Sequence, residues 1–285
     1  MNQPSVFASI NKPILLLTVL YAALLAACAS GAIPPGQATE SGEQPPSTTL
    51  SVFAAASLTE AFGTIAQNFE AEHPEVQVVL NLAGSQQLAQ QLAQGAPADV
   101  FASADRKQIE AIVGTGRIDS HTPQEFARNR LVVILPEENT TRIENLQDLV
   151  RPGLRVVLAD SAVPVGAYTM QFLDKAAQDL DLGEAFRSGF LENVVSYEEN
   201  VRAVLSKIIL GEADAGIVYS TDYAGARDED IIALDIPEEL NVTASYMLAP
   251  INDSQQLGLA NSFVKFVLSP QGQAILSEYG FLPID

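Results

Sequence analysis

The sequence predicts an α/β protein in which mostly parallel strands alternate with helices. From Leu50 to the C-terminus short apolar runs recur, separated by longer segments of helical periodicity. Small residues stand at several strand ends, directly before helix-start signals. Composition agrees with a folded body: 47% hydrophobic and 18% charged residues in a chain of 285 suit one or two domains with a sizeable core. They suit neither a disordered chain nor a multispanning membrane protein.

The N-terminal segment reads as an export leader. Ile14 to Ala27 form an apolar or weakly polar run of 14 residues, too short for a bilayer-spanning helix, which takes roughly 20 residues. It ends in Leu25-Ala26-Ala27-Cys28, which resembles the bacterial lipobox, so residues 1–27 are expected to be a lipoprotein signal peptide and Cys28 the lipidated residue. Residues 28–49 are expected to be a flexible tether, because 13 of the 21 residues from 29 to 49 are Pro, Gly, Ser or Thr and too little can be buried to offset ordering entropy.

The folded elements follow in order. A strand at 50–55 leads through Ala54-Ala55-Ala56-Ser57 into a helix at 58–72, with Ser57-x-x-Glu60 reading as a capping box and Ser57 as its N-cap. A strand at 76–82 runs through Ala83-Gly84-Ser85 into a helix at 86–94. The strand at 99–102 precedes a helix at 105–114, capped by Asp105 and stopped by Gly114-Thr115-Gly116. Strands at 131–135 and 155–159 follow, and Val163-Pro164-Val165-Gly166 marks the start of a helix at 166–180. Asn200 caps a helix at 201–210, and the strand at 215–219 ends in the phenol of Tyr219. Strands at 231–234 and 243–249 and helices at 255–268 and 271–279 complete the body, with Pro270 in a first turn where its missing N–H costs nothing. One large sheet or two lobes would both satisfy this pattern. The runs 131–135 and 243–248 are candidates for paired strands crossing between lobes, which would make the second lobe an insertion in the first.

The functional reading starts from exclusions. Fifteen Lys plus Arg against 35 Asp plus Glu, a net charge of -20, leave no basic surface for nucleic acid. One Cys and two His exclude a Cys/His zinc site, a disulfide framework and an iron–sulfur centre. Gly-x-Ser-x-Gly, His-Glu-x-x-His and the Walker A loop are absent from the sequence. What remains is a set of helix starts at Ser57, Ser85, Val165 and Val201, together with Tyr219, all just beyond strand ends where open α/β sheets bind ligands. Helix N-termini and hydroxyls present partial positive charge, so the natural guest is an anion. None of these five segments places a Lys or Arg at its helix-start position; Arg202, one residue further in, reads as an ordinary surface ion pair. Ser57 is either a plain N-cap or one that also presents its hydroxyl to a ligand, and a nucleophilic role lacks a placed base.

Several motifs together resemble the periplasmic molybdate-binding proteins of ABC transporters. They are Val-Phe-Ala-Ala-Ala-Ser-Leu-Thr at 52–59, Gly-Ala-Pro-Ala-Asp-Val-Phe at 95–101, Gly-Ile-Val-Tyr at 216–219 and the ending Gln271 to Phe281. The resemblance runs from about Leu50 to Phe281. It implies a type II periplasmic-binding-protein fold: lobe I at 50–130 and 238–285, lobe II at 131–237, each a mostly parallel sheet flanked by helices and joined by a hinge. It further implies a non-enzymatic, monomeric receptor that holds molybdate or tungstate through Ser57, Ser85, Val165, Val201 and Tyr219, as an oxyanion and never as a bare metal ion, with no other cofactor. Its partners would be an ABC permease with its ATPase and, through the lipid on Cys28, the outer face of the cell membrane. A receptor for another oxyanion such as sulfate, or an envelope hydrolase using Ser57, is the alternative. Asp160 to Pro164 is one residue shorter than the commoner family pattern, and Asn200 stands where that pattern often has Asp.

Overall fold

The computed structural model describes residues 48–284. The signal peptide 1–27, the lipidation site Cys28 and nearly all of the tether 28–49 lie outside them. Thr48 and Thr49, expected in the tether, instead begin the first strand. Among the described residues no helix is long and apolar enough to cross a membrane.

The first half runs β1 (Thr48–Ala55), α1 (Thr59–Glu72), β2 (Val76–Ala83), α2 (Ser85–Ala93), β3 (Val100–Ser103) and α3 (Arg106–Gly114). The long β4 (Gln124–Pro136) leads to β5 (Val156–Ala159), α4 (Pro164–Gln178), α5 (Gly183–Glu192), β6 (Val194–Glu198), α6 (Val201–Ile209), β7 (Ala215–Tyr219), α7 (Ser220–Gly225) and β8 (Ile231–Asp235). The chain returns through β9 (Thr243–Pro250) and closes with α8 (Leu257–Leu268) and α9 (Pro270–Glu278).

Pairing follows the order β2-β1-β3-β9-β4-β7-β5-β6, with β8 on β4. β1 is parallel to β2 and β3, and β5 to β6 and β7, whereas β3 with β9 and β4 with β7, β8 and β9 are antiparallel. The sheet is therefore mixed rather than mostly parallel. The antiparallel pairs arise where the chain crosses between halves, since a returning strand needs no helical crossover.

The crossing itself differs from expectation. Residues 124–130 of β4 pair with 243–248 of β9, while 131–135 pair with β7 and β8. One strand thus serves both halves, and only its apolar second part carried a strand signal. Asn241 ties the two crossing segments together: its Oδ1 accepts from Leu131 N–H at 3.1 Å and its Nδ2 donates to the Leu131 carbonyl at 2.9 Å.

Burial explains the strand pattern of the first half. β3 is buried along its whole length because helices cover both faces, which gives a continuous apolar run. Phe53 and Phe101 pack with Leu88, Leu92, Ile109 and Ile112 of α2 and α3, while Val52, Ala54, Val100 and Ala102 face the larger core. On that side Phe62 and Phe69 of α1 meet Phe263 of α8 edge to face at centroid separations of 6.1 and 5.2 Å. Such pairs add about 0.5–1.5 kcal/mol each beyond buried area, and they seat the start of α1 at the end of β1.

Three elements carried no readable signal. β6 is an edge strand of half-exposed residues, α7 is six residues long, and α5 buries only Phe186 and Phe190 and also holds Gly183 and Gly189. Gly189 of α5 lies against Val150, whose Cβ would be 3.0 Å from an added side chain, so the glycine is a packing choice that weakens the helical pattern.

Candidate functional site

Ser57, Ser85, Val165, Val201 and Tyr219 line one small cavity, together with Ala55, Ala56, Gly84, Ala104, Val163, Pro164 and Asn200. None of these twelve side chains is charged. The cavity's volume of about 10 Å³ is far below the roughly 300–1,000 Å³ of sites for drug-sized organic molecules, so only a small guest suits it.

The five segments meet because each lies just past a strand end. Ser57 sits in a short 3-10 turn, Ala56–Leu58, between β1 and α1. It does not cap α1: no side chain caps that helix, which corrects the expected capping box. Its Oγ instead lies 2.8 Å from the Tyr246 hydroxyl of β9. Ser85 is the first residue of α2, and its Oγ accepts the Ala104 N–H at 3.0 Å, leaving its own O–H available. Both serines are buried, at 4% and 1% exposure.

On the other side, α4 starts at Pro164 with no side-chain cap, so the N–H groups of its first turn, that of Val165 included, are not taken by a capping side chain. A Cβ on Gly166 would come within 2.1 Å of the Asp160 carbonyl oxygen, so only glycine lets this turn lie on the end of β5. Asn200 caps α6 as expected, accepting from Ala203 N–H at 3.0 Å and leaving the Val201 N–H out of that cap. Asp105 likewise accepts from Gln108 N–H at 2.9 Å.

Tyr219 ends β7 fully buried, and among the described residues its hydroxyl has no hydrogen-bond partner. Burial, then the neighbouring Tyr246, pushes its phenol well above the ordinary value, so it keeps its proton and remains a donor. A buried polar group left unpaired costs about 1–3 kcal/mol, and this hydroxyl lines the cavity with its proton free to donate.

The cavity is roofed by contacts between the two halves. Gln86 Nε2 donates to the Glu199 carbonyl at 2.8 Å and Gln87 Nε2 to Glu199 Oε2 at 2.9 Å. A Cβ on Gly84 would lie 2.6 Å from that same Glu199 carbonyl, so α2 and the start of α6 approach this closely only with glycine between them. Arg202 is not the ordinary surface pair expected of it. Its guanidinium bonds Glu60 of α1 and lies 3.1 Å from Oδ1 of the fully buried Asp222, close as an ion pair though not aligned as a hydrogen bond. Asp222 Oδ2 accepts the Tyr219 N–H at 3.3 Å, and burial pushes its carboxyl up to about 6 against the pull of Arg202.

Among the described residues no His or Lys is hydrogen-bonded to Ser57, whose Oγ meets Tyr246. The chain's two histidines are elsewhere: His73 stacks on Phe69 at the end of α1, and His121 lies in a turn with its N–H on Asp119. Sequence reasoning missed Asn129, Asp222 and Tyr246. Tyr246 had one usable signal, a phenol inside an apolar strand, where a buried O–H needs a partner.

Comparison with known proteins agrees with this architecture. Residues 50–282 match the family described as bacterial extracellular solute-binding protein. The molybdate-binding protein ModA of Mycobacterium tuberculosis is 36% identical over 266 residues, covering 93% of this chain and 95% of that protein. ModA of Escherichia coli is 32% identical, covering 81% and 88%. Among solved structures the sulfate-binding protein SubI of Mycobacterium tuberculosis superposes with a TM-score of 0.76 at 20% identity over 84% of this chain and 88% of that one, a likeness of fold alone. The chain belongs to the bacterial extracellular solute-binding protein family, among relatives of the molybdate-binding protein ModA.

Proposed function

We propose that the protein captures molybdate, or its congener tungstate, outside the cytoplasm and hands it to an ABC permease and its ATPase. The observation that carries this reading is the unpartnered Tyr219 hydroxyl in a charge-free cavity that two serine hydroxyls and two helix starts also line. All are donors. A fully ionised tetrahedral dianion accepts from every direction and needs no acceptor in return, and helix N-termini stabilise its charge without a Lys or Arg. The ligands in this reading are Ser57, Ser85 and Tyr219 through their hydroxyls and Val165 and Val201 through backbone N–H.

The reading includes a hinged, two-lobed body, with lobe I at 50–130 and 238–285 and lobe II at 131–237. The donors then come from both lobes, and the anion is what holds them shut. Calorimetric titration with molybdate, tungstate, sulfate and phosphate is the direct test, read alongside melting. Molybdate at ~1,000 times its Kd adds about 4 kcal/mol of stability by mass action. Phosphate near pH 7 retains a proton that backbone N–H groups cannot accept and that Ser or Tyr oxygens accept only by giving up their donor role, so its binding is expected to be far weaker. Phosphate binding as tightly as molybdate would refute the reading; preference for sulfate would move the receptor to another oxyanion.

Attachment through lipidated Cys28 belongs to the same proposal, supported by the Leu-Ala-Ala-Cys boundary. Two acyl chains anchor stably where one is marginal. Cys28→Ser is expected to move the protein from the membrane fraction to the soluble one; unchanged membrane retention would exclude the lipid anchor.

A further inference from the structure

We propose that Tyr246 is a positioning residue that fixes the Ser57 hydroxyl as a donor toward the bound anion, and so helps exclude protonated oxyanions; this rests on the anion-site reading above. Tyr246 itself does not line the cavity. It stands behind Ser57 on β9, fully buried, at 2.8 Å between the two oxygens. Either oxygen could donate across that contact, and the surroundings decide which.

The decision begins at Asn129 on β4. Its Oδ1 accepts the backbone N–H of Arg130 at 2.9 Å, and a backbone N–H can only donate, so the orientation of the amide is set. Ser220 O–H donates to the same oxygen at 2.9 Å. The Asn129 Nδ2 group therefore faces Thr221 Oγ1 at 2.8 Å and the Tyr246 hydroxyl at 3.5 Å, the outer limit of a hydrogen bond. With an N–H group facing it there, the Tyr246 oxygen is the acceptor on that side, and its proton points to Ser57 Oγ. Ser57 accepts from behind and is left to donate forward.

Ser85 shows the same device built from backbone, where the Ala104 N–H fills the rear of Oγ and leaves O–H for the cavity. Two hydroxyls from different strand ends are thus polarised the same way. A serine free to rotate could turn a lone pair toward the proton of hydrogen phosphate. One held from behind by a donor gives up its O–H contact to the anion if it does so.

The test is a binding cycle with four proteins: wild type, Ser57→Ala, Tyr246→Phe and the double variant, each titrated with molybdate and with phosphate at pH 7. Tyr246→Phe keeps the ring and its edge-to-face contacts with Phe126, Tyr219 and Phe281. It is expected to weaken molybdate about 3- to 10-fold while phosphate weakens less or tightens, so the ratio of the two constants falls. In the Ser57→Ala background it is expected to add nothing, because the hydroxyl it orients is gone. Loss of Tyr246→Phe packing alone would weaken both anions equally and would add to Ser57→Ala, and that result overturns the proposal. A Tyr246→Phe protein indistinguishable from wild type overturns it too. Silence of Ser57→Ala toward molybdate would instead refute the anion site itself, so the two failures are separable. If Tyr246→Phe lowers stability, the cycle still reads the coupling, since each comparison is made within one background.

Discussion

Tyr219→Phe is expected to weaken molybdate binding by about 10- to 150-fold while leaving the ligand-free protein about as stable as wild type. The two halves of this expectation come from one fact. The Tyr219 hydroxyl is buried and has no partner among the described residues. Removing a hydrogen bond to a charged group costs about 1.5–3 kcal/mol, which sets the loss in affinity. Removing the hydroxyl strands no protein partner, so the ligand-free protein is expected to keep about wild-type stability. Ser85→Ala is the contrast: its Oγ also satisfies the Ala104 N–H, so that variant is expected to lose affinity and ligand-free stability together. Calorimetry and melting without ligand check both. A Tyr219→Phe protein that binds molybdate like wild type would remove Tyr219 from the site.

The second large effect concerns the fold beneath the site. Arg202→Ala is expected to destabilise the protein by about 3–5 kcal/mol at pH 8, the usual cost of stripping the partner from a buried charge. Asp222 is fully buried and Arg202 is 25% exposed, so water does little to replace the guanidinium. The partner Glu60 is 40% exposed and contributes little to this loss.

The pH dependence has a definite sign. Burial raises the Asp222 carboxyl from 3.8 to about 6, so between these values the folded state holds more protons than the unfolded one. This group's contribution to stability is then greatest when it is protonated, and it declines as pH rises from about 4 to 6. Without Arg202 its carboxyl rises further, the decline extends to higher pH, and the gap between variant and wild type widens from pH 5 to pH 8. Denaturant unfolding at the two pH values measures it. A gap that is constant or narrows would mean that Asp222 does not depend on Arg202. Because Asp222 also holds the Tyr219 N–H, the variant is expected to loosen the end of β7 as well.

Much of the fold was legible because its signals are local. Alternating apolar runs with periodic helices predicted the α/β class, and the caps at Asp105 and Asn200 formed as read, since an N-cap depends only on residues three positions ahead. Pro164 and Pro270 start α4 and α9 as the missing N–H predicts. β6 and α5 were not legible. A half-exposed edge strand lacks strict alternation, and a helix with two buried phenylalanines and two glycines lacks a full apolar stripe.

The sequence by itself determined the strand-end turns, with their small residues, serines and helix starts. Only the tertiary structure decided who stands behind them. Ser57 looked like the N-cap of its own helix, yet its partner is Tyr246, 189 positions away, brought there by the pairing of β1 with β3 and of β3 with β9. Arg202 looked like a surface charge, and the packing of α6 on α7 set it against a buried carboxylate. Caps and periodicities are settled within a few residues of chain. The direction in which a hydroxyl points and the charge a guanidinium meets depend on strand register and helix packing across the whole molecule.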